Sequence, residues 1–188
     1  TTALPMSNQF DDVMPWHWAY SFIETLADSG ITSGCGDTIF CPADPVTRAQ
    51  MAVFLERGIN GANYDPPTAS GNVFLDVAAG DFAAAWIEQL FADGITAGCG
   101  NNKYCPNAEV TRDQMAVFLL RAKHGSGYSP PAPTGVFADV DLSHWACAWI
   151  EQLAAEGITA GCGDGNYCPG DTVNRDQMAV FLVRTFGL

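Results

Sequence analysis

The chain has 188 residues with a formal charge of −13 and a pI near 4.2. So acidic a protein lacks the basic face that phosphate binding needs, which excludes nucleic acid as a partner and disfavours adsorption to anionic lipid. Hydrophobic residues make up 48% of the sequence, enough for a packed core, yet no apolar run approaches the length of a membrane span.

The chain repeats itself three times. Phe-x-Asp-Val opens the copies at Phe10–Val13, Phe74–Val77 and Phe137–Val140, spaced by 64 and then 63 residues. A first amphipathic helix is predicted after each opening. Its stripe is Trp18, Phe22, Ile23 and Leu26 in copy one, Phe82, Trp86, Ile87 and Leu90 in copy two, and Trp145, Trp149, Ile150 and Leu153 in copy three. It stops at Gly30, Gly94 and Gly157, where a left-handed C-terminal cap favours glycine.

A short loop follows, flanked by Cys35/Cys41, Cys99/Cys105 and Cys162/Cys168. An even set at fixed spacing reads as three disulfides, hence an oxidising, extracellular compartment. The five-residue gap is not a usual zinc spacing, and no histidine follows in any copy, so no metal is assigned. Calcium is disfavoured as well. Asp37, Asp44, Asp164 and Asp171 meet Asn101 and Ala108 in copy two, and there is no ladder of alternating acidic ligands. The seventh cysteine, Cys147, reads as a small buried thiol, with an intermolecular bridge as the alternative.

Each loop ends in Pro42, Pro106 or Pro169, and a second helix opens on a predicted capping box: Thr47 with Gln50, Thr111 with Gln114, Asn174 with Gln177. Its apolar face is Met51, Phe54 and Leu55 and their equivalents. The helix ends near Arg57, Arg121 and Arg184, where a cation suits the negative end of the dipole. Two helices per copy cannot cover each other, so three copies are expected to close around a pseudo-threefold axis as one co-folded unit. The expected boundaries are 1–60, 73–122 and 136–188, with ordered linkers at 61–72 and 123–135. Tyr64 and Tyr128, each before a Pro-Pro, are expected to strap those linkers onto the surface.

Arg48, Arg112 and Arg175 sit just inside a helix N-terminus, against the dipole. One reading is an anion site, in which free N–H groups and a guanidinium fork converge on a carboxylate or phosphate. The other is an internal pair with Asp12, Asp76 or Asp139. Trp18 and Trp145, which follow His17 and His144, read either as sugar-stacking residues or as core aromatics. The two histidines read as surface or capping groups. No nucleophile–base set recurs, so no enzyme activity and no cofactor are assigned.

These residues carry a resemblance. Phe-x-Asp-Val, His17–Ala19, Ile23–Leu26, Gly30–Thr32 and Thr47–Ala52, with His144–Ala146, Ile150–Leu153, Gly157–Thr159 and Asn174–Ala179 in copy three, resemble the S-layer homology (SLH) domain. Copy two has Asp81-Phe82 in place of His-Trp. The resemblance implies a mainly α, three-pronged bundle of helix–loop–helix repeats. It also implies a secreted cell-surface protein anchored to the cell wall through carbohydrate binding, its polysaccharide often bearing a pyruvate ketal and lying in grooves between repeats. The arginine contact to acidic sugar then falls on Arg48, Arg112 and Arg175, with Trp18 and Trp145 as stacking candidates.

The cysteine loop replaces the family's usual loop, and Gln50, Gln114 and Gln177 replace its motif glutamate. SLH repeats usually anchor something larger, so this sequence is expected to be either a fragment of a longer protein or one whose repeats are themselves the product; the second case gives the alternative reading, a self-assembling structural subunit of a filament or surface layer. Thr1 without a preceding Met reads as a mature secreted chain after leader cleavage.

Overall fold

The computed structural model describes residues 8–188; the start of the first repeat, residues 1–7, lies outside the described residues. The described residues form six helices and no strand longer than an isolated bridge. They are α1 (Tyr20–Asp28), α2 (Arg48–Asn60), α3 (Ala84–Ala92), α4 (Arg112–His124), α5 (Cys147–Ala155) and α6 (Arg175–Phe186). The fold is the mainly α, three-pronged bundle that the sequence suggests.

The pairing of helices is not the pairing of repeats. α2 packs on α3, α4 on α5, and α6 returns to α1, while α2, α4 and α6 also pack on one another around the axis. Each prong therefore joins the second helix of one repeat to the first helix of the next. The first helix buries Ile23 and Leu26, or their equivalents Ile87, Leu90, Ile150 and Leu153, against that neighbour. The C-terminal glycines behave as expected: Gly30, Gly94 and Gly157 take φ of +76°, +71° and +70°.

At the centre the three segments before α2, α4 and α6 meet. Val46 N–H donates to Val173 O, Val173 N–H to Val110 O, and Val110 N–H to Val46 O, each at 2.9 Å. All three valines are fully buried, so this closed ring satisfies backbone groups that water cannot reach.

Phe10, Phe74 and Phe137 stand against Phe40, Tyr104 and Tyr167 with ring centroids 5.3–5.4 Å apart. Gly34, Gly98 and Gly161 lie beneath them at φ near +90°, and a Cβ there would meet a carbonyl oxygen at 2.3 Å. Over the linkers, Tyr64 packs edge-on against Trp86 and Tyr128 against Trp149, both at 6.0 Å. Glu88 accepts N–H bonds from Ser70 and Gly71, and Glu151 from Thr134, Gly135 and Val136. The glutamate of Ile-Glu-x-Leu thus ties down the segment that leads into its own repeat.

Two expectations change. The first helices begin at Tyr20, Ala84 and Cys147, after Trp18, Phe82 and Trp145, which are 61%, 70% and 61% exposed. The first position of each predicted stripe is therefore neither helical nor core. The capping box is complete in α2, where Thr47 and Gln50 bond reciprocally. In α4 the Gln114 N–H goes instead to the Asp113 carboxylate, and the Gln114 side chain turns to Arg48.

Glu56 is wholly buried on α2, where the equivalent positions are Leu120 and Val183. Its Oε2 accepts from Asn60 at 3.0 Å, while Oε1 has no partner among the described residues. Burial, with the Asp93 carboxylate adding to it, pushes the Glu56 carboxyl up to about 7 from an ordinary value of 4.5. A carboxyl raised in the folded state costs nothing where both states are protonated, and its full cost falls where both are ionised. Stability should therefore decline as pH rises from about 4.5 through about 7. Glu56→Gln should melt higher than wild type at pH 8, by roughly 2 kcal/mol after allowing for solvent screening, and match it near pH 4.

We propose that the three repeats unfold as one unit, because α6 closes on α1. Thermal circular dichroism should show one transition for the full chain. Deleting 175–188 should abolish that cooperative transition; a shortened protein that melts in two sharp steps would count against it.

Candidate functional site

The loop of one repeat holds the second helix of another. The N–H of Arg48 donates to Ala108 O and that of Ala49 to Pro106 O, both at the end of the Cys99–Cys105 loop. Arg112 and Asp113 are held in the same way by Asp171 O and Pro169 O, and Arg175 and Asp176 by Asp44 O and Pro42 O. The disulfides Cys35–Cys41, Cys99–Cys105 and Cys162–Cys168 are formed, with Cα atoms 6.0–6.1 Å apart, so each gripping loop is cross-linked at its base. Cys147 is a free, buried thiol on α5.

These contacts correct one part of the anion-site argument. The first helical N–H groups are already bonded to carbonyls, so the helix terminus offers a ligand little, and what remains is the guanidinium. Arg48 Nε donates to Tyr104 O at 2.7 Å, Arg112 Nε to Tyr167 O at 2.8 Å and Arg175 Nε to Phe40 O at 2.6 Å. Each guanidinium lies between two rings: Arg48 over Tyr104 and Phe118 at 4.8 and 5.4 Å, Arg112 over Tyr167 and Phe181, Arg175 over Phe40 and Phe54. The three residues are 4–5% exposed. Burial lowers the pKa of Arg48 and of Arg175 from the ordinary arginine value.

The internal ion pair is not formed either. The Asp12, Asp76 and Asp139 carboxylates accept backbone N–H bonds from Phe40 and Cys41, Tyr104 and Cys105, and Tyr167 and Cys168, at 2.7–2.8 Å. Among the described residues no carboxylate comes within ion-pair distance of Arg48, Arg112 or Arg175, and the Nη2 of each has no partner.

Each arginine lines a groove built by all three repeats. Groove 1 takes Arg48 from repeat one, Gln114, Val117, Phe118 and Arg121 from α4, Ile95–Cys99 from repeat two and Trp145 from repeat three. Groove 2 takes Arg112, then Gln177, Val180, Phe181 and Arg184 from α6, Ile158–Gly161, and Trp18 with Phe22 from repeat one. Groove 3 takes Arg175, Gln50, Val53, Phe54 and Arg57 from α2, Ile31–Cys35, and Phe82 from repeat two. Their volumes are about 420, 320 and 340 Å³.

Arg48, Arg112, Arg175, Trp18 and Trp145 each line a groove, and so do two further sets of three residues that the sequence reading missed. Arg57, Arg121 and Arg184 are not only dipole partners. Their Nη1 atoms donate to Ile31, Ile95 and Ile158 O at 3.2–3.3 Å, and they form the second cation of each groove. Gln50, Gln114 and Gln177 also face in. Their recurrence in a fixed register was the signal available. Trp18 and Trp145 are resolved as rim residues, their indole N–H groups bonded to Asp176 and Asp113 at 3.1 Å. Burial raises the Asp176 carboxyl, against the bonds from Gln177 and Trp18.

Asp76 with Cys99 and Cys105, and Asp139 with Cys162 and Cys168, lie close enough to share an ion. Bridged sulfurs are not thiolates, however, and offer no strong metal donor. Among the described residues no helix is long and apolar enough to cross a membrane.

The chain is 34% identical to a cell surface protein of Thermoanaerobacter kivui over 87% of its length and 19% of that protein. It is 30% identical to an amylopullulanase of Thermoanaerobacterium thermosulfurigenes over 96% of its length and 10% of that enzyme. It is 26% identical to the S-layer protein sap of Bacillus anthracis over 94% and 21%. The chain therefore spans only about a tenth to a fifth of these relatives. The S-layer homology domain profile matches residues 9–52, 73–116 and 136–179. Three matches on the three structural repeats cover more than half of the sequence, and the chain belongs to the S-layer homology domain family.

Proposed function

We propose that the chain is a non-catalytic, extracellular cell-surface module that anchors to the cell wall by binding acidic polysaccharide in its three inter-repeat grooves. The carrying observation is the set of buried guanidinium groups with no carboxylate partner among the described residues. A charge taken out of water needs hydrogen bonds or a counter-charge, and each Nη2 still lacks one. A second arginine, a glutamine and an exposed aromatic complete a surface suited to an acidic sugar: a fork for the carboxylate, an amide for hydroxyls, a ring face for C–H groups. The names of the relatives, a cell surface protein and an S-layer protein, favour the same setting, whereas the amylopullulanase's activity is attributed to that enzyme alone.

Co-sedimentation with purified cell wall tests the reading. Arg48→Lys/Arg112→Lys/Arg175→Lys keeps the charges but loses the planar forks, and Arg57→Gln/Arg121→Gln/Arg184→Gln removes the second cations. Both should pellet about tenfold less than wild type, and equal pelleting of all three proteins rejects the assignment. The net charge of −13 repels an anionic polymer at long range, so moderate salt should speed association where it slows most charge-driven binding.

A second reading is a self-assembling filament or layer subunit. It is favoured by apolar side chains exposed outside the grooves, Trp16 at 82% and Leu75 at 78%. Electron microscopy of concentrated protein that shows only discrete monomers would reject it.

A further inference from the structure

The three grooves share their arginines and glutamine but differ at the rim. In groove 1 the Trp145 Nε1–H donates to Asp113 Oδ2 at 3.1 Å, and His144 Nε2 lies 3.7 Å from the same oxygen. His144 Nδ1 accepts the Ala146 N–H at 3.2 Å, which fixes the imidazole. Groove 2 repeats this with Trp18, Asp176, His17 and Ala19, at 3.1, 3.8 and 3.2 Å.

Groove 3 has none of it. Phe82 stands in the tryptophan register, Asp81 replaces the histidine and bonds the Ala78 N–H, and the helix position that carries aspartate elsewhere is Ala49. Along the chain, the missing aspartate belongs to repeat one and the missing His-Trp to repeat two. They look unrelated until the fold brings repeat two's Phe82 to the groove lined by repeat one's α2. Two departures in separate repeats thus converge on a single groove. Conversely, the aspartate is present in both grooves that have an indole.

The bond has a physical consequence. Trp145 and Trp18 are each 61% exposed, so burial alone does not hold them. A hydrogen bond at the indole edge fixes the ring while leaving a face open, and a fixed ring loses less freedom when a ligand stacks on it. Phe82 has no polar edge to fix.

We infer that the protein presents two ring-binding grooves of one kind, with Asp113 and Asp176 as the positioning residues for Trp145 and Trp18, and that groove 3 does not bind the same ligand. This rests on the reading of the grooves as acidic-saccharide sites. The probe is a methyl hexopyranoside bearing a pyruvate ketal, with the unketalised glycoside as control. It is titrated into nitrogen-labelled protein while the side-chain amide signals are followed, since Gln114, Gln177 and Gln50 each line one groove.

Gln114 and Gln177 should shift and Gln50 should not. Asp113→Leu should weaken the Gln114 response about tenfold and leave that of Gln177, and Asp176→Leu the reverse. Because Asp113 and Asp176 also cap their helices, a gain-of-binding variant guards against simple destabilisation. Ala49→Asp/Asp81→His/Phe82→Trp should make Gln50 respond, whereas Phe82→Trp alone should restore much less. A Gln50 shift equal to the others in wild type, or Asp→Leu variants that bind normally, overturns the two-groove inference while leaving the grooves as sites. No shift anywhere in wild type overturns the saccharide reading itself, and the inference with it.

Discussion

A ring of three backbone hydrogen bonds among Val46, Val110 and Val173 is the constraint on which the architecture depends. Each segment donates to one neighbour and accepts from the other, so no repeat can complete its own pairing. The same approach delivers the end of each cysteine loop to a neighbour's helix N-terminus, where two carbonyls cap N–H groups that would otherwise be orphaned. With α6 packed on α1, the chain closes on itself, and repeat identity along the sequence ceases to coincide with any compact piece of the molecule. Every groove is consequently shared by three repeats.

That sharing explains why a cation stands at a helix position where the dipole opposes it. Arg48, Arg112 and Arg175 serve the neighbour's loop as much as their own helix, through an Nε–H bond to a loop carbonyl and through packing between two rings. Their placement costs a few tenths of a kcal/mol locally. It yields three buried cations in an acidic molecule. The Phe-x-Asp-Val aspartates, the obvious counter-charges, are instead committed to the loop backbone. The cysteine bridge stiffens the same loop, and Cys35 and Cys99 themselves line grooves 3 and 1. A short cross-linked loop loses little further freedom when a ligand settles against it.

Threefold repetition also exposes where the repeats have diverged. Glu56 is a buried carboxyl where the other copies place Leu120 and Val183, and burial pushes it up to about 7. Trp86 and Trp149 are covered by linker tyrosines. Phe22 holds the same register and reaches groove 2 beside an exposed Arg184. Such differences turn a pseudo-symmetric frame into grooves of unequal chemistry.

Much of this was legible in the sequence, because it depends on local chemistry. Helical stripes, glycine stops, capping residues and fixed cysteine spacing announce two helices and a bridged loop per repeat, and the register of Arg48, Arg112 and Arg175 singles out the site by its local electrostatic oddity. What stayed hidden depends on which repeat meets which. A period-based reading put Trp18 and Trp145 in the first helix, since sequence spacing cannot show that the chain turns into the helix one residue after Ala19 and Ala146. It gave Arg57, Arg121 and Arg184 to the helix dipole, because their groove partners lie in other segments. It left the arginine balanced between an aspartate and a ligand, and only the loop geometry removes the aspartate, because the loop N–H groups claim the carboxylates. The pairing of Ala49 with Phe82 across one groove is of the same kind. Local propensities are additive along a chain, whereas the grooves are made of contacts between repeats, and those exist only once the ring around the axis has closed.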